Sequence, residues 1–485
     1  MIFTSYQFLL FLPLAVAAYY LIFRKYQWQF LLAASLVFYA FSGWQNLLYI
    51  AATIITTYIA TIKMSKHGGD KRKKRPWLIA CLAVNLGILA VIKYAEFVVG
   101  IFAPPADAAF FRFALPLGLS FYTFQTLSYL IDAYRSKKPE FAERNPFKLA
   151  LFTSFFPQVI QGPISRFGDL KKTLFASHKA DYSDISAGAM RVLFGFFKKL
   201  VVADRLLPAV RTLTGSPDEF QGVYVLLAMF LYAITLYADF TGGIDVTIGA
   251  ARLFGINLKE NFDRPFYSKS ISEYWRRWHI TMGTWFRDYI FYPMSVSKPM
   301  LGLIKPARKL LGDHWGKRVP VYIATMVTWF ATGLWHGASW NFIVWGLVNG
   351  AVILISQEFT PLYERFHKAV PIGKTAVYGA FQIFRTFWLM CFIRTFDIYA
   401  DVPLTFKMFG SIVTDFWHGW IDFGLTLTDC GVVAVCIAVM IAAGRRKPQS
   451  PAARLAACGA LALAILIFGM YGLGYDASQF IYNKF

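Results

Sequence analysis

The chain has 485 residues, of which 57% are hydrophobic and only 16% are charged. An ordinary soluble domain carries roughly 25% charged residues, so this composition argues against a water-soluble multidomain protein and predicts one embedded in a membrane. Lysine and arginine outnumber aspartate and glutamate by 49 to 27, which in so apolar a chain indicates basic cytoplasmic loops rather than nucleic-acid binding.

The apolar residues are concentrated in stretches that approach the length of about 20 residues that a helix needs to cross a bilayer. They lie at 7–23, 28–43, 46–62, 77–103, 113–134, 184–203, 219–238, 319–335, 338–356, 375–396, 426–443 and 452–474. The further stretch 148–163 contains Pro157, Gly162 and Pro163, so a broken or re-entrant helix is as well supported as a full span. The sequence therefore predicts an all-α polytopic protein with ten to twelve transmembrane helices and additional re-entrant pieces.

The charges of the loops predict how the chain is oriented. The loops at 63–75 and 135–148 are rich in lysine and arginine, whereas the turns at 41–46 and 104–111 contain neither. Basic residues accumulate in cytoplasmic loops, so the N-terminus is predicted outside and the basic loops inside, where they also face anionic lipids.

The middle of the chain differs from both ends. Residues 251–320 include no apolar window long enough to span, yet they are dense in tryptophan, tyrosine, phenylalanine and arginine. Such a mixture is typical of amphipathic helices at the membrane interface or of pieces that dip into the bundle. We expect one integral-membrane domain over 1–485, with N-terminal spans in 1–250, this interfacial segment, and C-terminal spans in 321–485.

One histidine lies where lipid-facing residues are expected. His336 separates two long apolar stretches and is flanked by Gly333, Trp335, Gly337 and Trp340. An ionisable residue at membrane depth is costly and indicates function, although a packed core histidine is the alternative. A neutral imidazole there can accept a proton from a hydroxyl or thiol near pH 7. The five cysteines show no CxxC or cysteine–histidine spacing, so no metal site is predicted.

Six blocks of sequence together carry a family resemblance. They are Leu115–Gln125, Phe155–Gln158 with Gly162–Pro163, Asp239–Gly242 with Asp245, Asn261–Phe266, Arg276–Asp288 and Trp335–Ala338. These blocks resemble the membrane-bound O-acyltransferases, in the bacterial branch that acetylates alginate-like polymers or peptidoglycan. The resemblance covers nearly the whole chain. It departs at Gly243, where relatives often have tyrosine in a Phe-Ser-Gly-Tyr sequence.

The resemblance implies a helical bundle around a central tunnel in a bacterial cell membrane. A histidine matching His336 is the expected catalytic residue, and one matching His279 is a second functional residue near the tunnel. The acyl group, which we expect to be acetyl, comes from a cytoplasmic thioester donor, either acetyl-CoA or an acyl carrier, with no tightly bound cofactor. An extracytoplasmic SGNH-like acetyltransferase or esterase is the expected partner.

Other polar residues are candidates for binding substrate. Arg276 and Arg277 are expected to attract the phosphates of the donor or, equally, to sit against anionic headgroups. Asn341 is a candidate oxyanion stabiliser on its proximity in sequence. Asp239 is either a substrate-binding residue or, together with Asp245, a partner for a basic side chain in the bundle.

Three classes of function remain open from the sequence. The first is acyl transfer to an exported polymer, with alginate-like polymer or peptidoglycan favoured and D-alanyl transfer to teichoic acid as the alternative. The second is a transporter or flippase, against which the lack of an internal repeat counts. The third is a structural membrane scaffold, which gives no account of the two histidine blocks.

Overall fold

The computed structural model describes residues 1–104, 107, 109–399, 401–445, 450–472 and 474–476. Within these ranges the chain is helical and contains no β-strand, which confirms the predicted all-α class. The fold divides into two compact units. The first unit comprises Met1–Arg205, Thr235–Glu260 and Thr426–Phe485, and the second comprises Leu206–Ile234 and Asn261–Leu425.

The helices follow the apolar stretches closely. The first unit contains the helices Tyr6–Leu21, Gln27–Ala40, Asn46–Ser65, Lys71–Phe102, Leu119–Arg135, Pro146–Ser154, Phe156–Val159, Phe167–Leu174, Tyr182–Phe196, Leu427–Arg445 and Pro451–Phe468, the 3-10 turn Pro139–Phe141 and the π-helical segment Phe197–Ala203. The second contains Ile271–Arg277, Ile280–Phe286, Tyr292–Ser295, Lys298–Gly302, Ile304–Gly316, Val319–His336, Trp340–Glu358, Thr360–Ala369, Ala376–Ile398 and Val402–Thr414, the π-helical segment Arg287–Phe291 and the 3-10 turns Pro265–Tyr267 and Pro371–Lys374. Asp204–Gly215 and Val223–Leu253 contribute residues to both units.

Six of the described helices are long and apolar enough to cross a membrane by length and composition. They are Asn46–Ser65, Lys71–Phe102, Val223–Leu253, Trp340–Glu358, Ala376–Ile398 and Pro451–Phe468, and three shorter apolar helices accompany them at Tyr6–Leu21, Val402–Thr414 and Leu427–Ala442. A multi-pass membrane protein is thereby confirmed, while the count of ten to twelve spans stays a prediction. The segment 251–320 forms short helices only, because glycine, proline and charge interrupt every apolar run in it.

The stretch that carries Pro157 is broken. The helix Pro146–Ser154 ends at Phe155, and a short helix Phe156–Val159 follows. The chain then turns through Gly162, whose φ of +81° lies in the region that glycine tolerates. The Phe152 and Phe167 rings are 5.1 Å apart, so the helix after the turn packs back on the helix before it, as in a re-entrant piece.

The predicted orientation can be tested by labelling from outside the cell. Lys66 is exposed in the basic loop, whereas Ser216 is exposed in a loop without lysine or arginine. In a chain carrying Cys430→Ser, we expect Ser216→Cys to react with an impermeant thiol reagent in intact cells. Lys66→Cys should react only after the membrane is permeabilised. Labelling of Lys66→Cys in intact cells would reverse the orientation.

Candidate active site

His279 lies in the second unit, at the junction of two short helices. Ser270 caps the first of them, Ile271–Arg277, by accepting a hydrogen bond from the Glu273 amide at 3.2 Å. His279 itself precedes Ile280–Phe286 and has left-handed backbone angles, φ 47° and ψ 52°. For a residue other than glycine such angles cost of order 1–3 kcal/mol and are concentrated at functional sites. The side chain is fully buried.

Asn261 fixes the orientation of the His279 ring. The Asn261 Oδ1 accepts from the Thr281 amide at 3.0 Å and from the Thr281 hydroxyl at 2.9 Å, and it lies 3.3 Å from His279 Nδ1. Because this oxygen can only accept, the contact requires the proton on Nδ1 and leaves the lone pair on Nε2. Burial lowers the pKa of His279 to about 3, so the imidazole is neutral at physiological pH.

His336 ends a tightly packed helical hairpin. The helices Val319–His336 and Trp340–Glu358 approach so closely that a Cβ on Gly333 would lie 2.3 Å from the Phe342 carbonyl oxygen. A Cβ on Gly346 would similarly lie 2.4 Å from the Trp329 carbonyl oxygen. Only glycine fits at these two contacts, and the close approach of the two helices that they allow fixes the end of the hairpin where His336 lies.

Trp335 brings the two predicted histidines into one site. Its ring centroid lies 5.9 Å from that of His279 and 5.1 Å from that of His336. The ring of Trp345 lies 4.7 Å from that of His336 and crosses it at 77°, and Phe342 stacks at 6.2 Å. Both imidazoles are therefore enclosed by aromatic walls, in surroundings of low dielectric where electrostatic interactions are strong.

Two hydrogen-bond donors beside the histidines are buried and have no hydrogen-bond partner among the described residues. They are Trp345 Nε1 and Asn261 Nδ2. Leaving a buried donor unsatisfied costs roughly 1–3 kcal/mol, so each such group in a folded protein calls for an explanation. Donors in such a site can stabilise negative charge that develops on a reacting oxygen. Neither side chain is predicted from the sequence to lie at the site.

The structure gives Asn341, Arg276 and Arg277 other surroundings. Asn341 is buried, and its Nδ2 donates to the Phe396 carbonyl at 2.8 Å, which ties the hairpin to the helix Ala376–Ile398. Arg277 forms an ion pair with Glu273 at 2.7 Å, one helical turn away, and Arg276 is exposed. In the described part of the chain, no three histidine, cysteine, aspartate or glutamate side chains are grouped so as to hold a metal ion.

Arg394 is a further buried charge that the sequence analysis did not select. Its guanidinium lies 4.2 Å from the ring centroid of Trp278 and donates to the Tyr274 hydroxyl at 3.0 Å. Asp397, one turn along the same helix, lies 3.4 Å from it. The indole beside His279 is thus held by a cation–π contact. The position of Arg394 in the apolar stretch 375–396 is the signal in the sequence that could have identified it.

Asp239 lies in the first unit, within a buried ion cluster. Lys199 Nζ is 2.7 Å from Asp239 Oδ1 and 2.7 Å from Asp204 Oδ1. A second pair joins Asp245 to Lys198 at 2.6 Å. Both lysines lie in the π-helical segment Phe197–Ala203, which turns neighbouring positions of the chain towards different carboxylates.

The chain is similar in sequence to known membrane proteins. The family model described as "MBOAT, membrane-bound O-acyltransferase family" matches residues 35–302, which include His279. The "Probable alginate O-acetylase AlgI" of Azotobacter vinelandii is 35% identical over 367 residues, 74% of this chain and 69% of that protein. The "Peptidoglycan O-acetyltransferase" of Helicobacter pylori is 30% identical over 70% of this chain and 66% of its own length. The "Teichoic acid D-alanyltransferase" of Bacillus subtilis is 28% identical over 59% and 69%.

Proposed function

The chain belongs to the membrane-bound O-acyltransferase family, and from this premise we propose that it acetylates an extracytoplasmic polysaccharide. The observation that carries the proposal is the enclosed pair of imidazoles that both contact Trp335. The acyl group of a thioester is already activated, so acyl transfer needs a base for the incoming hydroxyl and hydrogen-bond donors for the carbonyl oxygen. The names of the similar proteins support alginate-like polymer or peptidoglycan as the acceptor class.

In this mechanism His336 acts as the general base. It takes the proton of the acceptor hydroxyl while the oxygen attacks the thioester carbonyl, and the carbon–sulfur bond breaks as the ester forms. The proton then passes to the departing thiolate, so the imidazole is regenerated. Such a base contributes typically about 10²–10⁴-fold to the rate. His279, held neutral in an orientation that Asn261 fixes, orients the hydroxyl or relays the proton.

The negative charge on the carbonyl oxygen needs donors that are already in place. Trp345 Nε1 and Asn261 Nδ2 are the buried donors available beside the histidines. Removing one donor from such a site costs about 10²–10³-fold in kcat. Asn341 stays a further candidate, because its hydrogen bond to the Phe396 carbonyl uses one of the two hydrogens of its amide.

The donor and the partner complete the proposal. The donor is a cytoplasmic thioester, either acetyl-CoA or an acyl carrier, and the basic segment that contains Arg276 lies on the predicted cytoplasmic side. The hydroxyl that attacks the thioester belongs to an SGNH-like protein outside the membrane, which then passes the acetyl group to a sugar hydroxyl of the polymer. The experiment is to supply labelled acetate to cells with and without the chain and to measure label on purified wall polymers. A parallel culture receives labelled D-alanine, and label from D-alanine rather than from acetate on the polymers would favour the alternative that the Bacillus subtilis relative suggests.

Asn261 is expected to be a positioning residue for His279. Asn261→Leu removes both the acceptor for Nδ1 and a candidate oxyanion donor, so kcat should fall by about 10–1,000-fold with little change in KM. Asn261→Asp keeps the acceptor but adds a carboxylate, which raises the pKa of His279 and makes the rate fall as the pH is lowered. Asn85→Leu, at another buried asparagine, is the control. A wild-type pH profile in Asn261→Asp would remove this role.

Arg276 is expected to act on the donor rather than on the chemistry. Arg276→Gln removes an exposed cation three residues before His279 in the chain, so KM for acetyl-CoA should rise several-fold while kcat changes little. Arg308→Gln, at an exposed arginine paired with Asp313, is the matched control. An unchanged KM at normal protein abundance would leave Arg276 with a role in membrane orientation only.

A further inference from the structure

A second group of aromatic residues in the second unit forms an ordered surface loop, residues 415–425. Phe416, Trp417 and Trp420 are 53%, 58% and 70% exposed, whereas Tyr224 and Phe423 beneath them are buried. The ring of Trp417 is parallel to that of Tyr224, with centroids 6.4 Å apart, and Trp420 lies 5.6 Å from Phe423. An inner layer of rings therefore supports an outer, exposed one, which we call the tryptophan platform.

The backbone of the platform is held in one conformation. The Tyr224 hydroxyl donates to the Gly419 carbonyl at 2.8 Å and accepts from the Ile421 amide at 2.6 Å. The Val223 amide donates to the Phe416 carbonyl at 3.0 Å. Gly222, with φ of +59°, comes so close that a Cβ on it would lie 2.1 Å from the Asp415 carbonyl oxygen. A surface fixed in this way loses little conformational freedom when it binds a ligand.

The charges around the platform restrict what it can bind. The loops 216–222 and 415–425 contain no lysine or arginine but carry four carboxylates, at Asp218, Glu219, Asp415 and Asp422. Asp218 is paired with Lys407 at 2.7 Å, and Asp415 lies 3.6 Å from His418 Nδ1, so the surface keeps a net excess of carboxylates. Loops without basic residues are predicted to be extracytoplasmic. Carboxylates among exposed rings are poorly suited to acyl chains or anionic headgroups, and they repel an anionic polymer. They are good acceptors for hydroxyl donors.

We propose that the tryptophan platform binds neutral sugar units of the acceptor polysaccharide. The indole faces of Trp417 and Trp420 pack against the C–H faces of the sugar rings, and Asp415 and Asp422 accept hydrogen bonds from sugar hydroxyls. This inference rests on the proposed function for the class of acceptor. It deepens that function by favouring a neutral, peptidoglycan-like glycan chain over a uronate polymer, whose carboxylates the platform would repel.

The experiment measures sugar binding without any acyl donor. The full chain in phosphatidylcholine nanodiscs is titrated calorimetrically with chitotetraose, which is neutral, and with tetramannuronate, which carries one carboxylate on each sugar. We expect chitotetraose to bind at least tenfold more tightly than tetramannuronate. Trp420→Ala should weaken chitotetraose binding at least tenfold, and Trp420→Phe, which keeps an aromatic face, should weaken it less. Trp315→Ala, at another exposed tryptophan of the second unit, should have no effect.

Several results would overturn the proposal. Equal binding of tetramannuronate would remove the preference for neutral sugars. Absence of sugar binding would overturn the proposed role of the platform. Lower membrane insertion of Trp420→Ala would then identify a lipid anchor. Weaker retention of an extracytoplasmic protein by Trp420→Ala would instead identify a protein-binding surface. Because no donor is present, chitotetraose binding without acyl transfer would count against the proposed function alone. Acyl transfer without chitotetraose binding would count against the platform alone.

Discussion

His336→Ala is expected to lower acyl transfer by about 10²–10⁴-fold while the protein stays folded and inserted in the membrane. The loss follows from removing the general base, whose contribution is of this size. The fold should tolerate the change because the hairpin is held by the contacts of Gly333 and Gly346 with backbone of the opposite helix, which do not involve the imidazole. Polymer acetylation is measured at matched membrane abundance, with size-exclusion behaviour checked in detergent.

His279→Ala tests whether the two histidines act as one unit. Trp335 contacts both rings, so we expect them to serve one proton-transfer path. The double variant should then be little worse than the worse single variant, since residues that act together are non-additive. Multiplying losses would indicate independent roles.

Two further variants show whether the loss in His336→Ala comes from the missing base. His336→Gln keeps a polar side chain of similar length but cannot act as a base near neutral pH, so it should be as inactive as His336→Ala. Trp340→Ala, at an exposed tryptophan of the same hairpin, should retain most of the activity. Near-normal transfer by His336→Ala would show that the block around it serves helix packing.

His336 could be selected from the sequence because an imidazole between long apolar stretches has few structural reasons to be there, whereas His279 was selected through the family resemblance. Asn261 was visible only as part of a motif. Its contact with His279 depends on a fold of the chain that brings residues 18 positions apart together. Hydrophobic periodicity does not predict such a contact. Trp345 looked like one of many aromatic residues in a span. Its position against His336 follows from the register of the hairpin, which close glycine contacts determine.

The helices could be predicted from the sequence more fully than the site, because their signals are local. Helix positions follow from runs of apolar residues, and capping residues such as Asp70, which accepts from the Arg72 amide, mark where they start. Ion pairing between distant helices has no such local signal. The sequence left Asp239 with two interpretations, substrate binding and a basic partner in the bundle, and the contact with Lys199 favours the second.

Lys199→Met is expected to lower the stability of the protein by about 3–5 kcal/mol, the usual cost of removing one partner from a buried ion pair. The side chains of Lys199, Asp239 and Asp204 are 1%, 1% and 3% exposed. Without the ammonium group two buried carboxylates lose their shared counter-charge, and water cannot reach them to compensate. The midpoint of thermal unfolding in detergent, followed by size exclusion, should fall well below that of the wild type.

The matched variant separates loss of charge balance from loss of the lysine itself. Lys199→Met combined with Asp204→Asn and Asp239→Asn leaves a neutral cluster of similar volume, so it should recover much of the lost stability. Lys179→Met, at an exposed lysine, should unfold as the wild type does. Asp239→Asn decides between the two interpretations of that residue: a structural partner lowers the unfolding midpoint and leaves KM for the donor unchanged. A raised KM for the donor with a wild-type unfolding midpoint would instead make Asp239 a substrate-binding residue, because its carboxylate would then contribute to binding and not to stability.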